Sequence, residues 1–113
     1  MAKVVVTGGS GFIGSHVVDA LMGAGHQVTV LDDLSTGRLE NIAHATGRSL
    51  RVVEGDVRQP RHVEKAVAGA QFVIHLAALP SVARSVADPI ATNAVNVDGT
   101  LNVLVAARAA KVR

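Results

Sequence analysis

Residues 8–14 read Gly8-Gly9-Ser10-Gly11-Phe12-Ile13-Gly14, and two overlapping patterns run through them: G-x-G-x-x-G from Gly9 to Gly14, and G-x-x-G-x-x-G through Gly8, Gly11 and Gly14. A turn so poor in side chains lets backbone N–H groups approach an anion directly. The chemistry it suits is the holding of a diphosphate at the start of a helix, where unpaired N–H groups and the positive end of the helix dipole point outward. A glycine turn also serves packing, so the pattern alone is a weak signal. Its context strengthens it, because Val4-Val5-Val6 precedes it as a strand and residues at helical spacing come after it. In that setting the first glycine turns the chain out of the strand, Gly11 admits the pyrophosphate to the backbone, and Gly14 lets the helix pack close to the sheet.

A second group stands about 20 residues further on, where dinucleotide-binding units carry an acidic side chain for the ribose hydroxyls. Asp32 and Asp33 end the next apolar run there. A carboxylate at that place repels a 2′-phosphate, which favours NAD over NADP as the cofactor. Asp33 also suits a turn-capping role, and Arg38 reads as surface charge. The stretch Gly55-Asp56-Val57-Arg58 repeats the arrangement after a third apolar run, and the stretch from His75 to Ser81 supplies small residues after a fourth.

The elements that must position these residues alternate strictly. Lys3 to Gly8, His26 to Asp33, Ser49 to Asp56 and Ala70 to Ala77 read as buried strands. Between them, Phe12 to Gly25, Arg38 to Gly47 and Pro60 to Ala70 have helical period, with Gly25, Gly47 and Gly69 placed to stop each helix. A last helix is expected from about Ile90 to Ala110. Its expected sheet-facing stripe is Ile90, Ala94, Val97, Leu101, Leu104 and Val105, beside a polar stripe of Asn93, Asn96 and Thr100. Strand and helix in alternation call for a doubly wound α/β domain with helices on both faces of a parallel sheet. Four strands in the order 3-2-1-4 place a ligand crevice between strands one and four, beyond their carboxyl ends.

Composition narrows the function. At 113 residues the chain is expected to form one domain, 1–113, and 49% apolar residues exclude a disordered class. Without cysteine there is no disulfide, thiolate metal site or cysteine nucleophile, which fits a cytoplasmic setting. No run approaches the about 18 to 20 apolar residues of a membrane span. The net charge of +2 is scattered and the phenylalanines are two, so no nucleic-acid surface is expected. The five histidines show no metal-ligand spacing; His75 reads as a buried, satisfied core histidine, and His26 and His62 as exposed.

Five segments in order, VTGGSGFIGSH, VLDDLSTGRLENI, VEGDVR, VIHLAALPSVARSVADP and NVDGTLNVLVAA, resemble those of the NAD-dependent epimerase/dehydratase family of extended short-chain dehydrogenases/reductases. The resemblance implies a Rossmann-like half with NAD held by Phe12 and Ile13 at the diphosphate and by Asp32, Leu34 and Ser35 at the ribose. It further implies Asp56 and Val57 at the adenine, Leu76, Ala77 and Ala78 beside the cofactor, and Asn96 reaching in from the last helix. Family members use a Tyr-x-x-x-Lys pair and a Ser/Thr beyond the matched region, and this chain has no tyrosine. No catalytic residue is therefore assigned. Three readings stand side by side: a truncated, catalytically incomplete NAD-binding half-domain; a segment of a nucleotide-sugar epimerase or dehydratase that acts within a longer parent; and a scaffold that dimerises or swaps through an exposed fourth strand, with Leu101 to Val105 involved.

Overall fold

The computed structural model describes residues 2–9, 12–33, 50–77 and 86–112, with Phe12 by its backbone alone. Strands β1 (Lys3–Thr7), β2 (Gln27–Asp32), β3 (Leu50–Glu54) and β4 (Phe72–His75) form one parallel sheet in the order β3-β2-β1-β4. Val5 of β1 pairs with Thr29 of β2 on one side and Val73 of β4 on the other. Helix α1 (Phe12–Gly23) connects β1 to β2, and α2 (Pro60–Val67) connects β3 to β4. The crossover expected from Arg38 to Gly47 lies outside the described residues.

β-Branched strands buried on both faces make the sheet the middle of three layers. Val4, Val6, Val28, Val30 and Leu50 pack with Val18 of α1 on one face. Val5, Leu31 and Val53 pack on the other against Val63, Ala66 and Val67 of α2, with Val95, Val103 and Ala106 from the end of the chain. The period of two is plain in β1, where Val5 and its neighbours Val4 and Val6 enter different cores. Among the described residues no helix is long and apolar enough to cross a membrane.

The last helix departs from its expected phase. Asp88 caps it by accepting the Ala91 N–H at 3.1 Å, and Pro89 opens its first turn. Helix α3 (Pro89–Asn93) runs through a π-helical turn, Ala94–Asp98, into α4 (Gly99–Ala109). Val95, Gly99, Val103 and Ala106 face inward. Of the expected stripe, Ile90, Val97, Leu101, Leu104 and Val105 are exposed, Ile90 at 82%. The helix carries apolar residues on two faces, and period alone does not rank them. Gly99 does: a Cβ there would meet Val57 Cγ2 at 2.6 Å, so only the glycine face approaches the loop after β3. The wide turn adds a residue to one turn of the spiral, which rotates the remainder of the helix by about 100°.

Helix ends explain two local backbone choices. After α1, the Gly25 N–H reaches Met22 O at 3.0 Å and the His26 N–H reaches Leu21 O at 3.1 Å, with Gly25 at φ +88°. This is the Schellman arrangement, in which the left-handed residue is usually glycine. After α4 the same bonds run from Lys111 to Arg108 O (3.2 Å) and from Val112 to Ala107 O (2.9 Å), but here a lysine takes φ +58°. Lys111→Gly is expected to stabilise the fold by about 0.5–1 kcal/mol in urea unfolding, since the left-handed conformation penalises a Cβ by an amount of that order. Unchanged stability would remove the strain assigned to Lys111.

Candidate functional site

The carboxyl ends of all four strands open at one edge of the sheet, and the residues there pack around the glycine turn. Gly8 leaves β1 with φ +73°, and its N–H donates to Leu31 O at 2.9 Å, which binds the turn to the end of β2. A Cβ on Gly8 would lie 2.9 Å from the Ala77 nitrogen, so the chain leaving β4 passes directly over it. Gly9 is pressed against Val30. In α1, a Cβ on Gly14 would collide with the Gly8 carbonyl oxygen and lie 2.8 Å from Gly9 Cα. The start of α1 is thereby set on the turn, and the first N–H groups of a helix have no partner within it. Gly8 and Gly14 thus do the turning and the close packing read from the sequence. Gly11 lies outside the described residues.

Ile13 is 67% exposed at that helix start, whereas Val18, further along α1, is fully buried. Asp32 ends β2 beside the turn and is only 8% exposed, whereas Asp33, one residue on, is exposed. The Asp32 carbonyl accepts the Gly55 N–H at 3.0 Å, which carries the crevice wall on to β3. Leu34, Ser35 and Ala78 lie outside the described residues.

Beyond β3, Asp56 and Arg58 form a compact ion pair. One Asp56 oxygen accepts the Arg58 N–H at 2.8 Å; the other accepts Nε–H at 2.8 Å and a second guanidinium N–H at 2.6 Å. Those bonds hold the Asp56 carboxyl below its ordinary 3.8, against the opposing effect of burial, and raise the Arg58 value in return. The Asp56 N–H is held in turn by His62 Nδ1 at 2.9 Å. Val57 is buried, and its carbonyl accepts from Asn102 Nδ2 at 2.9 Å, so α4 fixes this loop by a hydrogen bond as well as by the Gly99 contact.

On the other wall, Thr7 Oγ1 accepts the N–H groups of Leu76 (3.0 Å) and Ala77 (3.2 Å) and lies 2.6 Å from His75 Nδ1. His75 Nε2 lies 3.0 Å from Thr100 Oγ1, and Thr100 donates its own proton to Asn96 O at 2.8 Å. Asn96 is half-buried in the π turn, on the side of the helix that meets β4 through Thr100. Burial lowers the His75 pKa from its ordinary 6.5.

The structure therefore brings Gly8, Ile13, Gly14, Asp32, Asp56, Val57, Leu76, Ala77 and Asn96 to one edge of the sheet. Thr7, Thr100, Asn102 and the Arg58 pairing were not singled out for it. Of these, only the Asp-x-Arg spacing is a local signal. His26 is not explained by exposure: it is half-buried and its Nδ1 accepts the Ala2 N–H at 3.0 Å, a backbone role like that of His62. Among the described residues no group of three or more His, Asp or Glu could hold a metal ion.

A parallel sheet of order 3-2-1-4, with a glycine turn feeding a helix and an acidic residue ending β2, defines a Rossmann-type nucleotide-binding fold. Residues 4–113 match the NAD dependent epimerase/dehydratase family, and the chain belongs to that family. It is 40% identical over 116 residues to a UDP-glucose 4-epimerase of Klebsiella pneumoniae, covering 98% of this chain and 84% of that protein. It is 39% identical over 103 residues to UDP-glucuronic acid decarboxylase 1 of Danio rerio, covering 90% of this chain but 23% of the relative. Among solved structures it superposes on the Thermus thermophilus UDP-glucose 4-epimerase in complex with NAD with a TM-score of 0.88 and 42% identity, over 98% of this chain and 35% of that one. A dTDP-glucose 4,6-dehydratase from Streptomyces venezuelae with NAD bound gives a TM-score of 0.89 at 36% identity, over 97% and 37%. The chain thus spans about a third of the length of these solved relatives.

Two outcomes are expected of this geometry. Gly14→Ala should destabilise the fold by about 2 kcal/mol or more, as overpacking against backbone does, whereas Gly23→Ala, with nothing near its Cβ, should stabilise it by about 0.5–1 kcal/mol; paired chemical denaturation reads both. Arg58→Ala should return the Asp56 carboxyl toward 3.8 in an NMR pH titration. In the unsubstituted chain, the Asp56 contribution to stability is present above 3.8 and lost as pH falls through the lower folded value.

Proposed function

We propose that these residues form the NAD-binding half of a nucleotide-sugar epimerase or dehydratase, as a single cofactor-binding domain. The observation that carries the reading is the glycine cradle: Gly8 has the Ala77 backbone on one side and Gly14 of α1 on the other with no room for a side chain, and Asp32 is buried at the end of the neighbouring strand. NAD-bound relatives with the same fold support the choice of cofactor. In this reading the N–H groups of Gly11, Phe12 and Ile13 receive the diphosphate. Asp32, with Asp33, Leu34 and Ser35, takes the adenosine ribose, and its carboxylate disfavours a 2′-phosphate. Asp56 and Val57 border the adenine, and Leu76, Ala77, Ala78 and Asn96 border the rest of the cofactor. NAD supplies a hydride acceptor when bound. The residues here orient it and shield it from water. Since the 113 residues contain no tyrosine, a phenol that would move the substrate's proton has no place among them. Turnover of a nucleotide sugar is assigned to a longer chain.

Calorimetric titration of the chain tests this. NAD and ADP should bind, NADP should bind more weakly, and Asp32→Ala should weaken NAD by about tenfold, in line with the loss of charge-assisted hydrogen bonds, while narrowing the gap to NADP. No heat with any of the three nucleotides would contradict the reading, and turnover of UDP-glucose by the 113 residues alone would contradict the assignment of catalysis elsewhere.

A second reading is favoured by one feature: the outer edge of β4 has no strand beside it among the described residues, and Phe72 and Leu76 there are exposed along with Leu101, Leu104 and Val105. Unpaired apolar edges recruit other chains. In that reading the chain associates with itself through β4, and sedimentation equilibrium would show a dimer; a monomer at all concentrations would exclude it.

A further inference from the structure

The hydrogens of the Thr7–His75–Thr100 relay can be assigned by counting donors. Thr100 gives its one proton to Asn96 O, so toward His75 it only accepts, and His75 Nε2 carries the hydrogen. Nδ1 is then an acceptor and takes the Thr7 hydroxyl proton. The Thr7 oxygen keeps its two lone pairs for the N–H groups of Leu76 and Ala77, and every group in the relay is satisfied. A proton on Nδ1 breaks this count, because Thr7 Oγ1 would then face three donors with two lone pairs. Leu76 has a second acceptor, the Thr7 carbonyl at 3.0 Å, whereas among the described residues Ala77 has Thr7 Oγ1 alone, at the longer distance of 3.2 Å. The Ala77 bond is the one to fail, and Ala77 is the residue packed on Gly8.

We propose that His75 is the positioning residue of the crevice: as the Nε2–H tautomer it orients the Thr7 hydroxyl so that Leu76 and Ala77 are held over Gly8, and its protonation frees Ala77 and weakens ligand binding. Among the described residues the groups packed on it from β1 and from the helix are neutral: Thr7, Thr100 and the Asn96 backbone. Asp32 and Asp33 end a strand two places away in the sheet, and Asp98 and Arg108 of the helix are exposed. Burial already lowers the His75 pKa from 6.5, so the neutral, working form is the one the fold favours. The stability this contributes is whole above about pH 6.5 and is lost as pH falls toward the folded value.

The identity of the ligand rests on the NAD reading, but the relay does not, and the experiment separates them. The full chain, first without nucleotide, is titrated by NMR from about pH 8 to pH 5, tracking the ring nitrogens of His75 and the amides of Leu76 and Ala77. The Nε2–H tautomer is expected, with the Ala77 amide moving at the midpoint of the His75 ring and the Leu76 amide moving less. An Nδ1–H tautomer, or an Ala77 amide that ignores the ring, would overturn the proposal. Thr100→Ser should keep the tautomer and the profile, and Thr100→Val should lose the single tautomer in a chain whose other amides stay dispersed. NAD should then bind the wild-type chain about fivefold or more weaker at about pH 5.5 than at about pH 7.5, the size of a modest coupling between sites. Equal affinity at both values would overturn the coupling. No binding at either value, with Ala77 still tracking His75, would remove NAD as the ligand and leave the relay in place.

Discussion

Thr7 and Gly8 are consecutive, and between them they join β1 to three neighbours. Thr7 holds the chain that leaves β4 through its hydroxyl, and Gly8 holds β2 through its N–H. The same glycine has the Ala77 backbone on one side and Gly14 of α1 on the other, with no space for a side chain. A buried threonine and a glycine of positive φ are therefore the constraint from which the crevice is built. A larger residue at position 8 would part β4 from β1 beside the start of α1, and an apolar residue at position 7 would take from the Ala77 N–H its Thr7 acceptor.

The last helix matters as much as the sheet, because it touches both walls of the crevice. Thr100 reaches β4 through His75, while Gly99 and Asn102 reach the loop after β3 through Val57. These contacts need Thr100 on one side of Gly99's inward face and Asn102 on the other, a spread the α-helix provides, while the π turn at Ala94–Asp98 sets its phase relative to the preceding turn. Wide turns of this kind recur at functional sites, where a shift of helix phase re-aims side chains. Here it directs a polar stripe at the sheet ends and leaves Leu101, Leu104 and Val105 outward.

Much of this was legible in the sequence, and the features that were not have definite causes. Strand positions come from short β-branched runs, and the order 3-2-1-4 comes from alternation with helices, because right-handed crossovers leave few other arrangements. Gly8, Gly14, Asp32 and Asp56 were marked by spacing around strand ends. The face of the last helix was not legible, since Ile90, Val97 and Leu101 repeat as regularly as Val95, Val103 and Ala106. The deciding residue was a glycine whose partner, Val57, lies far off in sequence. The Thr7 role was invisible for the same reason: its bond to His75 spans 68 residues, and a threonine at a strand end is ordinary. His26 shows the limit of reading exposure from neighbours, since it is half-buried and accepts the Ala2 N–H; His62 is exposed as read, and its bond to the Asp56 N–H is one no local pattern announces.

In the proposed function, the cradle formed by Gly8, the start of α1 and Ala77 is where a diphosphate would be received, next to Asp32. A crystal structure of the chain grown with NAD tests this most directly. The pyrophosphate should lie against the backbone of the glycine turn and the first turn of α1, the adenosine ribose should lie within hydrogen-bond reach of the Asp32 carboxylate, and Leu76 and Ala77 should remain on Thr7. A nucleotide bound elsewhere on the molecule, or one seated only after Ala77 has left Gly8, would contradict it.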